Sequence, residues 1–181
     1  MPPALTLLRD HSREPAPLPD FVDAMSMLAS GVVLVTSWVG GRPWGTTVTA
    51  FASVSAEPPT ILVSLGSATA CARAIAAKGS FGVSILAEEQ LDVARIGSDR
   101  GAPKFLEELV ERDCGSSDSP VAAGALAHLD CRLAEAIEVA DHTIFFGRVH
   151  AAQTSGSGTP LLYHRRAYRR ISERNLECHS S

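Results

Sequence analysis

Between Gly45 and Pro59 the chain reads GTTVTAFASVSAEPP. Thr46, Thr47, Thr49, Ser53 and Ser55 place short hydroxyl side chains where a core strand would carry Val, Ile or Leu. On an extended segment, Thr47, Thr49 and the small Ala50 let a flat ligand lie close to the backbone. Main-chain N–H and C=O groups, helped by the hydroxyls of these residues and of Ser53 and Ser55, can satisfy its polar rim. The plainer alternative is that Thr favours strands, and both readings stand at this point. A second stretch, GSATA from Gly66 to Ala70, lies between an apolar run and an Ala-rich one. Backbone N–H groups at the start of a helix, with the Ser67 and Thr69 hydroxyls, suit a phosphate, and Lys104 or Arg100 can add a cation. An ordinary helix cap uses the same residues. The third stretch is ADHT, Ala140 to Thr143. Asp141 beside His142 reads either as a carboxylate orienting an imidazole or as a turn Asp next to a solvated His.

Other chemistries lack their signatures. No GxGxxG or GxxxxGK[ST] occurs, nor HExxH or GxSxG, and the six His residues are dispersed. The four cysteines, at 71, 114, 131 and 178, show no CxxC pair, so neither a disulfide framework nor a protein-built metal site is expected, and a reducing cytoplasm fits best. A formal net charge of −4 speaks against nucleic acid as the main partner. The one basic cluster, HRRAYRR from His164 to Arg170, reads as a solvated edge strand. No apolar run approaches the roughly 20 residues that cross a bilayer.

The elements that must hold these residues follow from periodicity. The 181-residue chain is long enough for a single well-buried domain. Residues 1–20 carry five of the eleven prolines, and residues 1–18 read as a flexible arm. A helix follows over PDFVDAMSMLASG, with Asp20 as cap, a face of Phe21, Ala24, Met25, Leu28 and Ala29, and Gly31 as its end. VVLVTSWV and WGTTVTAFASVS form a strand pair around the GGRP turn, and Pro58 and Pro59 end the pairing. TILVSL is a buried strand. GSATACARAIAAKG is a helix that Ser67 can cap and Gly79 ends, SFGVSIL another strand, and AEEQLDVARIGS a short second helix with acidic residues in its first turn. A helical piece is expected around Leu106 to Val110. LDCRLAEAIEV alternates with period two, burying Leu129, Cys131, Leu133, Ile137 and Val139, and IFFGRVHAAQ returns. LLYHR and AYRRI close the fold, and residues 173–181 read as a frayed tail. Seven or eight strands without βαβ alternation imply a mainly β fold, an antiparallel barrel with peripheral helices.

The segments LASGVVLVTS, GTTVTAFASVSAEPPTILVSLG, KGSFGVSIL, PKF, ADHTIFFGRV and PLLYHRRAY, in this order, resemble one family. It is the flavin reductase-like domain with the FMN-binding split-barrel fold, the small reductase component of two-component flavin-dependent monooxygenases. The resemblance spans Phe21 to Ile171 and places the domain at residues 19–172. It implies a flavin lying along Thr47, Val48, Thr49 and Ala50 and continuing past Ser53, Val54 and Ser55. It implies a phosphate at Ser67, Ala68 and Thr69, with Lys104 and Phe105 near the flavin. Asp141 and His142 would belong to the nicotinamide dinucleotide site, His142 positioning the nicotinamide, and Tyr168 would border it. Two positions depart from the family's pattern: Ala140 and Arg166 stand where glycine is usual.

The resemblance implies an NAD(P)H:flavin oxidoreductase using FMN or FAD, with NADH or NADPH as co-substrate. Hydride would pass to the flavin, and the reduced flavin to a partner monooxygenase. A homodimer in the cytoplasm is expected. The rival reading is a non-catalytic flavin carrier or sensor on the same barrel, and a more distant one is an oxidase of a small amine or pyridoxine-type substrate. Asp141–His142 separates the first two, because a carrier needs no nicotinamide site.

Overall fold

β-Branched and aromatic runs separated by Gly, Pro and polar turns give ten strands in the computed structural model, which describes residues 14–110, 117–155 and 157–171. The proposed arm up to residue 13 and the proposed tail over 173–181 lie outside the described residues, as do Cys114 and Cys178. In chain order the elements are α1 (Leu18–Ser26), β1 (Ser30–Gly31), β2 (Val33–Val39), β3 (Arg42–Val48), β4 (Phe51–Ala56) and β5 (Pro59–Gly66). They continue with α2 (Ala70–Lys78), β6 (Ser80–Ile85), a 3₁₀ turn (Glu88–Gln90) and α3 (Leu91–Ser98). Last come β7 (Ala127–Val139), β8 (His142–Thr154), β9 (Leu162–His164) and β10 (Ala167–Arg169).

Seven strands pair antiparallel in the order β3-β2-β6-β7-β8-β5-β4, and β1, β9 and β10 make a small second sheet. The two edges of the large sheet, β3 and β4, are consecutive in sequence. The hydroxyl-rich segment expected as one strand is therefore two. It leaves β2 after Val48 and joins β5 from Phe51, and the barrel is split between them rather than closed. At the crossing, the Phe51 N–H donates to Thr49 C=O and the Ser64 N–H donates to Ala50 C=O, so the step between edges keeps backbone partners.

β2 reads as an unbroken apolar run because both of its faces are covered. Val33 and Val35 join one core with Val63, Phe81, Val83, Phe145 and, from α2, Cys71 and Ile75. Val32 and Leu34 join a second with Leu86, Ala94 of α3, Leu106 and Leu161. Each such side chain taken fully from water is worth roughly 1.5–3 kcal/mol. α2 ends as expected, with Gly79 left-handed at φ 72°.

Other expectations are corrected. α1 has Pro17 rather than Asp20 at its cap and stops at Ser26, whose hydroxyl bonds back to Asp23 C=O; Gly31 belongs to β1. None of the apolar residues of α1 is buried within the chain. Leu106 to Val110 forms turns and a bridge from Val110 to Ala122, not a helix. β7 buries its inner face only as far as Leu133; after the bulge at Leu133/Glu135 it projects outward, leaving Ile137 and Val139 exposed.

Candidate functional site

The site is assembled along the end of β3. Its alternate side chains face the two cores: Trp44 and Val48 pack against the first, while Gly45 and Thr47 look toward Leu34, Leu106 and Gly97 of α3. The Thr46 hydroxyl lies against the Cys71 thiol in the first turn of α2. Burial holds that thiol up at about 12, so it is a neutral packing group and no nucleophile.

The loop into α2 joins two of the candidate stretches. Thr69, not Ser67, caps the helix, its hydroxyl accepting from the Ala72 N–H at 3.2 Å. Ser67 is instead tied to the β7–β8 turn. Its N–H donates to Asp141 C=O at 2.9 Å, and its hydroxyl shares a 2.8 Å hydrogen bond with that of Thr143. Gly66 and His142 are paired across β5 and β8. Ala68 is exposed, its carbonyl accepting from Arg73. Because Thr69 satisfies only one N–H of the first turn, Ala70 and Cys71 present theirs toward the loop without an intrahelical acceptor. Lys104 stands near enough to Cys71 for their charges to be felt, and its carbonyl accepts from the Gly45 N–H. Burial lowers the Lys104 pKa from its ordinary range, with the nearby Asp99 carboxylate pulling the other way and Arg100 adding to the shift.

Next to it, Phe105 stacks edge-on to Trp44 at 4.8 Å, under the Arg42 guanidinium at 3.5 Å. At the turn, Asp141 Oδ1 accepts from His142 Nδ1 at 2.8 Å, and that bond holds the Asp141 carboxyl below the ordinary carboxylate range. The imidazole is thereby oriented through Nδ1, and its Nε2 has no hydrogen-bond partner among the described residues. Ala140 adopts φ 53°, the left-handed region glycine favours, so the departure at this position is accommodated by backbone strain with His142 still in register.

Two cavities meet at Thr49. One of about 490 Å³ is lined by Met25, Ser26, Thr49, Ala50, Tyr163 and Arg166, among others. The other, about 360 Å³, is lined by Thr47, Val48, Thr49, Ser98, Arg166 and Tyr168. A third opens along Thr49 to Ala52. Thr47, Val48, Thr49, Ala50 and Tyr168 are thus brought together, whereas Ser53, Val54 and Ser55 sit exposed on β4 outside these three cavities. The Ser55 hydroxyl accepts from the Glu57 N–H. Tyr168 packs edge-on to Tyr163 at 5.3 Å, with its hydroxyl near Ala94 C=O.

Sequence reasoning missed Tyr163, Met25 and Ser98 as groove walls, and Thr143 as the partner of Ser67. Only Thr143 carried a local signal, as the first inward position of β8. Among the described residues no group of three or more His, Cys, Asp or Glu is placed to hold a metal ion, and no helix is long and apolar enough to cross a membrane.

The flavin reductase like domain model matches residues 25–172, most of the chain. The chain belongs to that family. It is 34% identical over 168 residues to the NADH-dependent FMN reductase AsuE2 of Streptomyces nodosus subsp. asukaensis, covering 91% of this chain and 90% of that one. It is likewise 34% identical over 158 residues to the reductase component of 4-nitrophenol 4-monooxygenase/4-nitrocatechol 2-monooxygenase from Rhodococcus opacus, covering 87% and 83%. Among solved structures, the NADH:FAD oxidoreductase SgcE6 of Streptomyces globisporus, in complex with NAD and FAD fragments, superposes with a TM-score of 0.78 at 31% identity, over 90% of this chain and 99% of that one. The family's flavin finds a fitting surface here. Thr49 and Ala50 are small and exposed, and beside them the Thr47 hydroxyl is buried without a hydrogen-bond partner among the described residues.

Proposed function

We propose that this chain is an NAD(P)H:flavin oxidoreductase that passes hydride from a reduced nicotinamide to FMN or FAD and delivers the reduced flavin to a partner monooxygenase. When bound, the flavin supplies the hydride-accepting ring system; the protein's part is placement. One observation carries the reading: Ser67 joins the Asp141–His142 turn to the start of α2, whose first turn touches the end of β3. The residues proposed for the phosphate, the ring and the nicotinamide are thereby linked through one framework of contacts.

In this reading Thr47, Val48, Thr49 and Ala50 keep the main chain accessible to the ring, with Ser53, Val54 and Ser55 extending that surface. Ser67, Ala68, Thr69 and Lys104 hold a phosphate on helix N–H groups and a cation. Tyr168 walls the groove, and Phe105, packed on Trp44, stands near the flavin. His142, held by Asp141, positions the dinucleotide and takes no proton, since hydride transfer needs no acid or base from these side chains. The domain occupies residues 19–172. The relatives' names, an NADH-dependent FMN reductase and a monooxygenase reductase component, support the donor and the partner. A cytoplasmic setting suits NAD(P)H chemistry and the buried free thiols Cys71 and Cys131.

A homodimer fits the exposed apolar residues of α1, Leu18, Phe21, Val22 and Met25, with Leu28 just beyond it, together with Ile137 and Val139 at the projecting end of β7. The test of function is direct: purified protein with FMN or FAD and NADH or NADPH in air should consume nicotinamide only when flavin is present. Flavin binding with no oxidation of either nucleotide would make the protein a carrier.

A further inference from the structure

The β9–β10 hairpin turns on two consecutive arginines. His164 pairs with Ala167, so Arg165 and Arg166 are the whole loop, with φ values of 49° and 59°. Two-residue loops with both positions left-handed favour Asn-Gly or Gly-Gly, because a side chain in that conformation is strained by roughly 1–2 kcal/mol. Nothing in the turn itself repays that strain. The Arg165 N–H donates to Ser26 C=O at 2.8 Å, a bond glycine would make equally well. The Arg166 guanidinium reaches Asp23 of α1 at 2.8 Å, but both side chains are more than half exposed, where an ion pair contributes little. What the strain does achieve is the position of a cation. Arg166 lines both cavities that meet at Thr49, and the lining of neither includes a carboxylate.

We propose that Arg166 is a phosphate-reading residue of the groove: it exchanges its weak partner Asp23 for a phosphate of the nucleotide bound along Thr47–Ala50. This rests on the reductase reading and adds a second cation to it. Lys104 serves the middle of β3, beside Gly45, and Arg166 serves its far end, beside Thr49. The phosphate belongs either to the flavin nucleotide or to the nicotinamide dinucleotide. Asp23 acts as a counter-charge that keeps the guanidinium extended until the anion arrives. A planar guanidinium suits that exchange, since its fork accepts carboxylate and phosphate alike.

The experiment compares wild type with Arg166→Gly, Arg166→Lys and Asp23→Asn. It measures dissociation constants for riboflavin, FMN and FAD by fluorescence, and KM for NADH and NADPH. Glycine relieves the left-handed strain, so Arg166→Gly is expected to fold at least as stably as wild type, which a melting curve checks. We expect it to weaken one phosphorylated ligand by about tenfold, the worth of one charge-assisted hydrogen bond, with riboflavin unaffected. Loss for FMN and FAD identifies the flavin phosphate as the target; loss confined to KM identifies the dinucleotide. Arg166→Lys should recover part of the loss, and the affected constant should depend less on salt in Arg166→Gly than in wild type. Asp23→Asn should bind as well as wild type or better. Unchanged constants throughout, an equal loss for riboflavin, or a loss in Asp23→Asn as large as in Arg166→Gly would each overturn the proposal. If wild type failed to oxidise NADH or NADPH, the reductase reading would fall, while the riboflavin–FMN comparison would still decide the phosphate contact.

Discussion

His142 pairs with Gly66 and Lys104 lies near Cys71, and their surroundings predict different responses. The Asp141 carboxylate orients the imidazole but does not bury it, so removing the ring leaves no orphaned core group. His142→Ala is expected to raise the KM for NADH or NADPH by about tenfold, the scale of one lost positioning hydrogen bond, while the flavin dissociation constant stays within twofold. Equal loss of both, or of neither, would take His142 out of the dinucleotide site. Lys104 is governed by desolvation, which lowers its pKa from the ordinary 10.5. As pH rises through that lowered value the cation disappears, so FMN affinity should decline at a lower pH than an exposed lysine would dictate. Riboflavin, with no phosphate, should show no such decline, and Lys104→Met should flatten the FMN curve. Stability has the opposite sign: the desolvated ammonium is a cost below its folded pKa, and that cost fades as pH rises from there toward the unfolded value.

At the level of elements, the groove depends on how closely α3 lies on β3. A Cβ built on Gly97 would meet the Thr47 hydroxyl at 2.2 Å and the Thr47 backbone N at 2.9 Å. The second contact is with backbone and cannot be relieved by a rotamer. Gly97→Ala should therefore push α3 off the strand, costing about 1–3 kcal/mol as overpacking does, and should weaken flavin binding through displaced Thr47 and Ser98. Chemical denaturation and flavin titration check the two effects. This contact also shows where the sequence was legible. The hydrophobic runs of β2, β5 and β6, and the Gly79 stop, follow from period and local propensity, and they stand where expected. The split between Val48 and Phe51 did not show, because whether a strand stays with β2 or crosses to β5 is decided by sheet closure, a non-local matter. Thr69 displaced Ser67 as cap for a related reason. Ser67 was claimed by Asp141 and Thr143, 74 and 76 residues further along the chain. The three candidate stretches were visible as residue types; that Ser67 bonds one to another was not.

For the whole molecule, the unburied surface of α1 has to be accounted for. Leu18 is 72% exposed and Phe21 56%, on a helix where no residue is buried. A nine-residue helix is marginal in water without tertiary packing, so its apolar face requires a cover. In the homodimer proposed above that cover is a second copy, and the projecting apolar end of β7, with Ile137 and Val139, offers matching surface. The helix also forms a wall of the 490 Å³ cavity through Val22, Met25 and Ser26. Dimerisation and flavin binding should then be coupled: what holds α1 in place also holds the wall. The proposed homodimer predicts that Leu18→Glu with Phe21→Glu, two positions outside the cavity lining, lowers the mass seen by light scattering from two chains to one. Flavin affinity should drop by at least about fivefold, because α1 is no longer held by the partner. A wild-type monomer would refute the dimer, and a monomeric variant with undiminished affinity would show that each chain builds its groove unaided.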